Sequence, residues 1–225
     1  MSTQTRDPVD RMLVERVVRE VIQQRLGPAR EGTYRPNLVV NISARHMHIT
    51  QGHLEVLFGP GAALTPLRPL YQEGEFASEQ TVAVVGPRRR MIPNLRILGP
   101  TRKYTQIELA FTDSIALGIE VPVRQSGQHE GTPGCVVIGP KGHLVLERGV
   151  IRAERHVHMH PRDAAYYGVR AGDYMRLRVE SSCPVTFDGV LCRVDEAFKL
   201  EVHIDTDEGN ACDLPGAWHV ELQKE

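Results

Sequence analysis

Two short stretches constrain this chain more than any other feature: Arg45-His46-Met47-His48-Ile49 and Arg155-His156-Val157-His158-Met159. Each is an arginine, two histidines separated by one apolar residue, and a second apolar residue. On a β-strand successive side chains point to opposite faces, so both imidazoles share one face and the residue between them enters the other. That is how a strand presents two nitrogens to one metal ion. Four of the ten histidines lie in these two copies, which makes chance a poor account of them. The copies also continue alike. Thr50 is placed to cap a short helix over 51–58, ended by Gly59-Pro60-Gly61. Pro161 opens a second short helix, with His160 in the cap position and Gly168 at its end. The layout predicts a duplicated unit of strand, His-x-His, helix and turn, related by a pseudo-twofold.

Short apolar stretches at 37–43, 81–85, 95–98, 106–111, 135–138, 143–146, 174–179, 191–194 and 200–204 read as strands between Gly and Pro turns. Their spacing predicts barrels or sandwiches. The missing crossover helices argue against a purely parallel sheet. The clearest amphipathic helix is 8–26, where Val14, Val17, Val18, Val21, Ile22 and Leu26 recur at helical spacing before Gly27-Pro28. With the linker 28–36 behind it, this is either a helix packed on its own core or a docking helix for a partner.

Two strand residues extend the ligand set. Glu108 and His203 each alternate with apolar neighbours, giving the groups His46, His48, Glu108 and His156, His158, His203. Two metals close together can clamp a shared oxyanion. Anion contacts are expected at Arg102 in the Gly99-Pro100-Thr101-Arg102-Lys103 turn and at Arg88-Arg89-Arg90, with a solvated basic loop as the alternative for the triplet. A formal net charge of -1 excludes the global basic field of a nucleic-acid binder. No apolar run approaches ~18 residues, so no membrane span is expected. Cys135, Cys183, Cys192 and Cys212 show no CxxC spacing and read as reduced thiols of a soluble cytoplasmic protein. The glycine fingerprints of P-loop and Rossmann nucleotide sites are absent, as is a GxSxG elbow.

Six segments share a further likeness: Asn41-Ile42-Ser43-Ala44-Arg45-His46-Met47-His48, Leu98-Gly99-Pro100-Thr101-Arg102-Lys103-Tyr104-Thr105-Gln106-Ile107-Glu108, Ser126-Gly127, Gly139-Pro140-Lys141-Gly142, Arg155-His156-Val157-His158-Met159 and His203-Ile204-Asp205-Thr206-Asp207-Glu208. In this order, over residues 37–213, they resemble the PduL-type phosphate propanoyltransferases of bacterial microcompartments. The resemblance implies a phosphotransacylase that interconverts acyl-CoA (propanoyl-CoA, or acetyl-CoA) plus phosphate with acyl phosphate plus coenzyme A. It implies a mainly β fold of two antiparallel β-barrels with short capping helices and an N-terminal amphipathic helix. One barrel would come from 36–45 with 154–225, the other from 46–153, and 1–35 would hold the helix and linker.

The same resemblance implies two zinc ions, one on each three-residue group. Arg102 would clamp phosphate and share the catalytic role with Glu108, with Gln106, Ser126, Arg193 and Asn210 as phosphate neighbours. The coenzyme A phosphates are assigned to Arg88, Arg89 and Arg90. Residues 8–26 would direct the enzyme into a microcompartment through shell or cargo proteins, with no nucleic-acid or membrane partner, and a homo-oligomer is allowed for. One departure stands out. Family copies follow the Asn at position 210 with Ala-Ala-Gly, whereas here it is Ala211-Cys212-Asp213, so the freedom of a glycine is missing and a remodelled edge is expected. Two rival readings of the metal groups are a two-metal hydrolase of phosphate esters or amides and a non-catalytic metal-binding assembly protein.

Overall fold

The computed structural model describes residues 34–224; the predicted helix over 8–26 lies outside them. Among the described residues the first eight strands are β1 (Val39–Ser43), β2 (His46–His48), β3 (Pro66–Pro69), β4 (Phe76–Val85), β5 (Met91–Gly99), β6 (Gln106–Glu108), β7 (Val123–Arg124) and β8 (Cys135–Ile138). Then follow β9 (His143–Leu146), β10 (Val150–Ala153), β11 (His156–Met159), β12 (Tyr174–Glu180), β13 (Val185–Val194), β14 (Glu201–Asp205) and β15 (His219–Lys224). Four short helices cap them: α1 (Gln51–Phe58), α2 (Phe111–Leu117), α3 (Pro161–Tyr167) and α4 (Thr206–Ala211).

The strands form two curled sheets. One has the order β1-β14-β11-β13-β12-β15, the other β7-β10-β6-β2-β5-β4-β8-β9 with β3 beside β4. The mainly β architecture is the one expected, but the pairing corrects the antiparallel expectation: it is mixed. Strand β11 runs antiparallel to β14 and parallel to β13. Strand β2 likewise runs antiparallel to β6 and parallel to β5. A parallel pair needs a long connection between its strands. Here α3 with β12, and α1 with β3 and β4, make those connections, so no βαβ unit is needed.

Two strands change sheets. β1 leads through Ala44-Arg45 into β2, yet pairs with β14 in the other sheet. β10 leads through Glu154-Arg155 into β11, yet pairs with β6. The segment before each His-x-His therefore belongs to the opposite sheet, and the exchange is reciprocal.

Local chemistry places the helices. The Thr50 hydroxyl accepts the His53 N–H at 3.2 Å, and the His160 ring accepts the Arg162 N–H at 3.2 Å. The strand expected over 106–111 stops at Glu108 because Asp113 takes the Ala110 N–H at 3.2 Å and starts α2. Asp205 and Glu208 cap α4 reciprocally, each side chain accepting the other's N–H. Met47 and Val157, the residues between the paired histidines, are fully buried in two separate apolar clusters. Each contributes roughly 1.5–3 kcal/mol of burial and fixes which face its histidines take. Polar links then join the halves: Arg152 Nε donates to Asp205 at 2.7 Å, Thr112 to Asp207 at 2.6 Å, and Gln72 Nε2 to Glu201 at 2.6 Å.

Candidate active site

The two His-x-His strands carry their third residue across the antiparallel pair in the same register. His46 sits opposite Glu108, and His156 sits opposite His203. In the first group His46 Nε2 lies 3.2 Å from His48 Nε2 and 3.5 Å from Glu108 Oε2, while His48 Nε2 is 3.9 Å from Glu108 Oε1. In the second, the rings of His156, His158 and His203 have centroids 4.8 to 5.0 Å apart. In each group one candidate atom per residue lies within 4.8 Å of the others, so each can hold one metal ion.

The backbone prepares the ligands. His46 Nδ1 bonds the Ala44 carbonyl and His156 Nδ1 the Glu154 carbonyl, both at 2.8 Å. A carbonyl only accepts, so Nδ1 carries the proton and Nε2 offers its lone pair. Burial, then the neighbouring His46 and Arg102, push His48 far below the usual imidazole range. Burial, then His203, His156, Arg193 and Arg102, lower His158. Burial and His203 lower His156 as well. Neutral imidazoles are the ligand form. The Nδ1 of His48, both ring nitrogens of His158 and Nε2 of His203 are buried without a hydrogen-bond partner. Such atoms carry a cost of roughly 1–3 kcal/mol each unless something binds them; one nitrogen of His158 and Nε2 of His203 are the ones a metal ion in the second group could take, one ligand atom per residue.

Glu108, His156 and His203 line one small cavity together with Ser43, Glu154 and Asp205, so the two groups share a space. His203 Nδ1 meets the Ser43 hydroxyl at 3.1 Å. Its Nε2 lies 3.2 Å from Glu201 Oε2 but off the hydrogen-bond direction, so the contact is electrostatic. Burial raises the Glu201 pKa, yet His203 and hydrogen bonds from Asn41 and Gln72 outweigh it and hold the carboxyl below its usual range.

Arg102 reaches the centre because its N–H bonds the Ile49 carbonyl at 2.8 Å, just past β2. Its guanidinium pairs with Glu75 at 2.8 Å, and its charge acts on both His48 and His158. Gln106 Nε2 donates to Glu108 Oε1 at 2.6 Å and to the Ser126 hydroxyl at 2.9 Å. Arg193 lies beside His158 in register, and its guanidinium stands over Phe198, whose ring stacks on His158 at 4.2 Å. Asn210 is exposed on α4 and takes no part in these hydrogen bonds. Arg88, Arg89 and Arg90 occupy the β4–β5 hairpin, whereas Arg102 follows the other end of the nine-residue β5. At roughly 3.3 Å per residue that strand holds the triplet well away from the centre.

Five participants were not among the sequence candidates: Ser43, Glu75, His129, Phe198 and Glu201. Glu201 had a signal, since it alternates with His203 and Asp205 along one strand. The other four depend on long-range packing.

The profile of the phosphate propanoyltransferase family matches residues 39–215. A phosphate propanoyltransferase of Planctopirus limnophila is 56% identical over 225 residues, covering 96% of this chain and 92% of the relative. One from Thermotoga maritima is 53% identical over 180 residues, with 80% and 85% covered. One from Lachnoclostridium phytofermentans is 44% identical over 202 residues, with 90% and 92% covered.

Proposed function

The chain belongs to the phosphate propanoyltransferase family, a family of acyltransferases, and we propose that it moves a propanoyl group between coenzyme A and inorganic phosphate at the shared cavity. The observation that carries this reading is the pair of three-residue groups opening on one cavity, with partnerless buried nitrogens and Arg102 acting on both. His46, His48 and Glu108 would hold one zinc ion, and His156, His158 and His203 a second. When bound, the ions supply positive charge to the thioester oxygen and favour release of a thiolate.

The protein's own groups set the geometry. Glu75 fixes one side of the Arg102 guanidinium and leaves its other N–H donors for phosphate oxygens. Gln106 and Ser126 orient Glu108, and Arg193 adds charge beside His158; Asn210 is assigned to the rim. Held there, a phosphate oxygen attacks the thioester carbonyl, the C–S bond breaks, and the electron pair leaves on coenzyme A sulfur. Phosphate is already an anion near neutral pH, so positioning and charge neutralisation replace a strong base. Each sheet is read as one barrel domain, 36–45 with 154–225 and 46–153. Residues 8–26 are read as the docking helix that takes the enzyme into a cytoplasmic bacterial microcompartment through shell or cargo proteins. Removing 1–30 should then leave turnover intact and abolish co-purification with a shell.

The test is free-thiol release from propanoyl-CoA with and without phosphate. Phosphate-dependent release supports transfer. Release without phosphate makes the protein a hydrolase, and no release from metal-loaded protein makes it a binding protein.

A further inference from the structure

The Gln106 side chain is fully buried next to Glu108 and uses its whole hydrogen-bonding capacity. Its Nε2 donates to Glu108 Oε1 at 2.6 Å and to the Ser126 hydroxyl at 2.9 Å. Its Oε1 meets the Gly127 N–H and His129 Nε2, both at 2.8 Å. A backbone N–H only donates, so Gly127 fixes which end of the amide is oxygen. An amide oxygen only accepts, so His129 carries its proton on Nε2. Burial, then Arg148, lower the His129 pKa, so near neutral pH the ring is neutral and has that one proton to give.

His129 is itself held against the strand that carries the ligand candidate. Its carbonyl accepts from the Thr132 hydroxyl at 2.7 Å, and that hydroxyl accepts the Gly149 N–H at 2.9 Å. The Gly149 carbonyl in turn takes the N–H of Ile107, between Gln106 and Glu108 on β6, at 2.9 Å. Tyr104 packs edge-on against the imidazole, with ring centroids 5.0 Å apart, and sets its plane. His129 belongs to neither three-residue group.

The consequence falls on Glu108. With Oε1 taken by the amide, Oε2 is the oxygen left for an ion, 3.5 Å from His46 Nε2. A turned-over amide would set its oxygen against the carboxylate and its NH2 against the Gly127 N–H. The other half has no such dependence, because the Asn41 and Gln72 amides hold Glu201 there. We propose that His129 is a positioning residue for the His46, His48, Glu108 group, donating from Nε2 to lock the Gln106 amide and so leave Glu108 one free oxygen. This rests on the metal reading of that group.

The experiment is zinc release from the full chain to a competing chelator, with Glu108→Ala identifying the step that belongs to the first group. It compares unaltered protein, His129→Ala and His129→Gln. In His129→Ala the zinc Kd of that step should rise roughly threefold to tenfold, the factor one hydrogen bond is worth, with the other step unmoved. His129→Gln, whose amide can donate in place of Nε2, should restore it. A second readout needs neither a variant nor a metal: nitrogen NMR of the metal-free, unaltered chain should place the His129 proton on Nε2. An unmoved first step, an equal shift of both steps, a glutamine variant no better than alanine, or a proton on Nδ1 each overturns the proposal. Unaltered protein that takes up no zinc overturns the metal reading, and the proposal with it.

Discussion

The two halves of the centre use the same frame with the negative charge moved two residues along one strand. Opposite His46 and His48 stand Glu108 and Gln106; opposite His156 and His158 stand His203 and Glu201. In the first half the acid is the ligand candidate and the amide steadies it at 2.6 Å. In the second a histidine is the candidate and the acid lies behind it at 3.2 Å. The supporting contacts repeat as well. Arg45 pairs with Asp113, the capping acid of α2, and Arg155 lies 3.6 Å from Glu208, the capping acid of α4. The two halves therefore share the geometry and one carboxylate each, and its place decides whether charge would touch a bound ion or only a ligand candidate. An imidazole group backed by an acid suits zinc, whereas a group with a carboxylate ligand also accepts harder ions.

Removing metal should disturb both halves most. Chelation leaves a buried nitrogen on each of His158 and His203 unpaired. A site occupied at a thousandfold excess over Kd contributes about 4 kcal/mol, so the melting temperature should fall in two separable steps. A single step would show that the sites load together and would break the comparison.

Changing one ligand in each half comes next. Glu108→Ala and His203→Ala should each lose one equivalent of metal by elemental analysis and at least about 100-fold in turnover. If either kept both ions, its half would not be the site described.

The displaced charge can be tested by itself. Glu201→Gln should weaken metal retention in the all-histidine group by roughly 10–100-fold in a chelator competition, with the Glu108 group unaffected. Equal loss from both groups would mean that Glu201 supports the fold and not the ligand.

The smallest effect concerns the helix ends. Gly118, after α2, has φ 71°, and Asp213, after α4, has φ 46°; both are left-handed. An aspartate tolerates that region at a cost of roughly 1–2 kcal/mol, and here Ser182 bonds its carboxylate at 2.8 Å. The edge expected to be remodelled by the missing glycine thus keeps a left-handed backbone. Asp213→Gly should shift stability by less than about 1 kcal/mol, because the gained freedom and the lost hydrogen bond oppose each other. Gly118→Asp should cost about 1–2 kcal/mol in a denaturant titration, since it acquires the strain without a Ser182 and crowds the Arg88 side chain.

Much of this was legible along the chain because it is local. Alternation around Met47 and Val157 placed the histidines on one face, and Thr50, His160, Gly59 and Gly168 bounded two helices, since these effects act within a few residues. The Gly-Pro-Thr-Arg turn pointed to Arg102 in the same way. Strand ends were less legible: the strand expected over 106–111 gives way to α2 because Asp113 caps it, α4 forms where no element was expected because Asp205 and Glu208 cap it, and β3, β7, β10 and β15 are short or carry mixed polarity.

By itself the sequence determined two His-x-His strands, the helices after them and the six candidate ligands. Only the tertiary structure decided that Glu108 and His203 occupy equivalent register positions, that Gln106 and Glu201 take the same place beside them, and that Arg88-Arg89-Arg90 lies at the opposite end of β5 from Arg102. The physical reason is the same throughout. Side-chain direction and capping are set by neighbours in the chain, whereas strand pairing is set by which apolar faces can be buried together, across separations of a hundred residues and more.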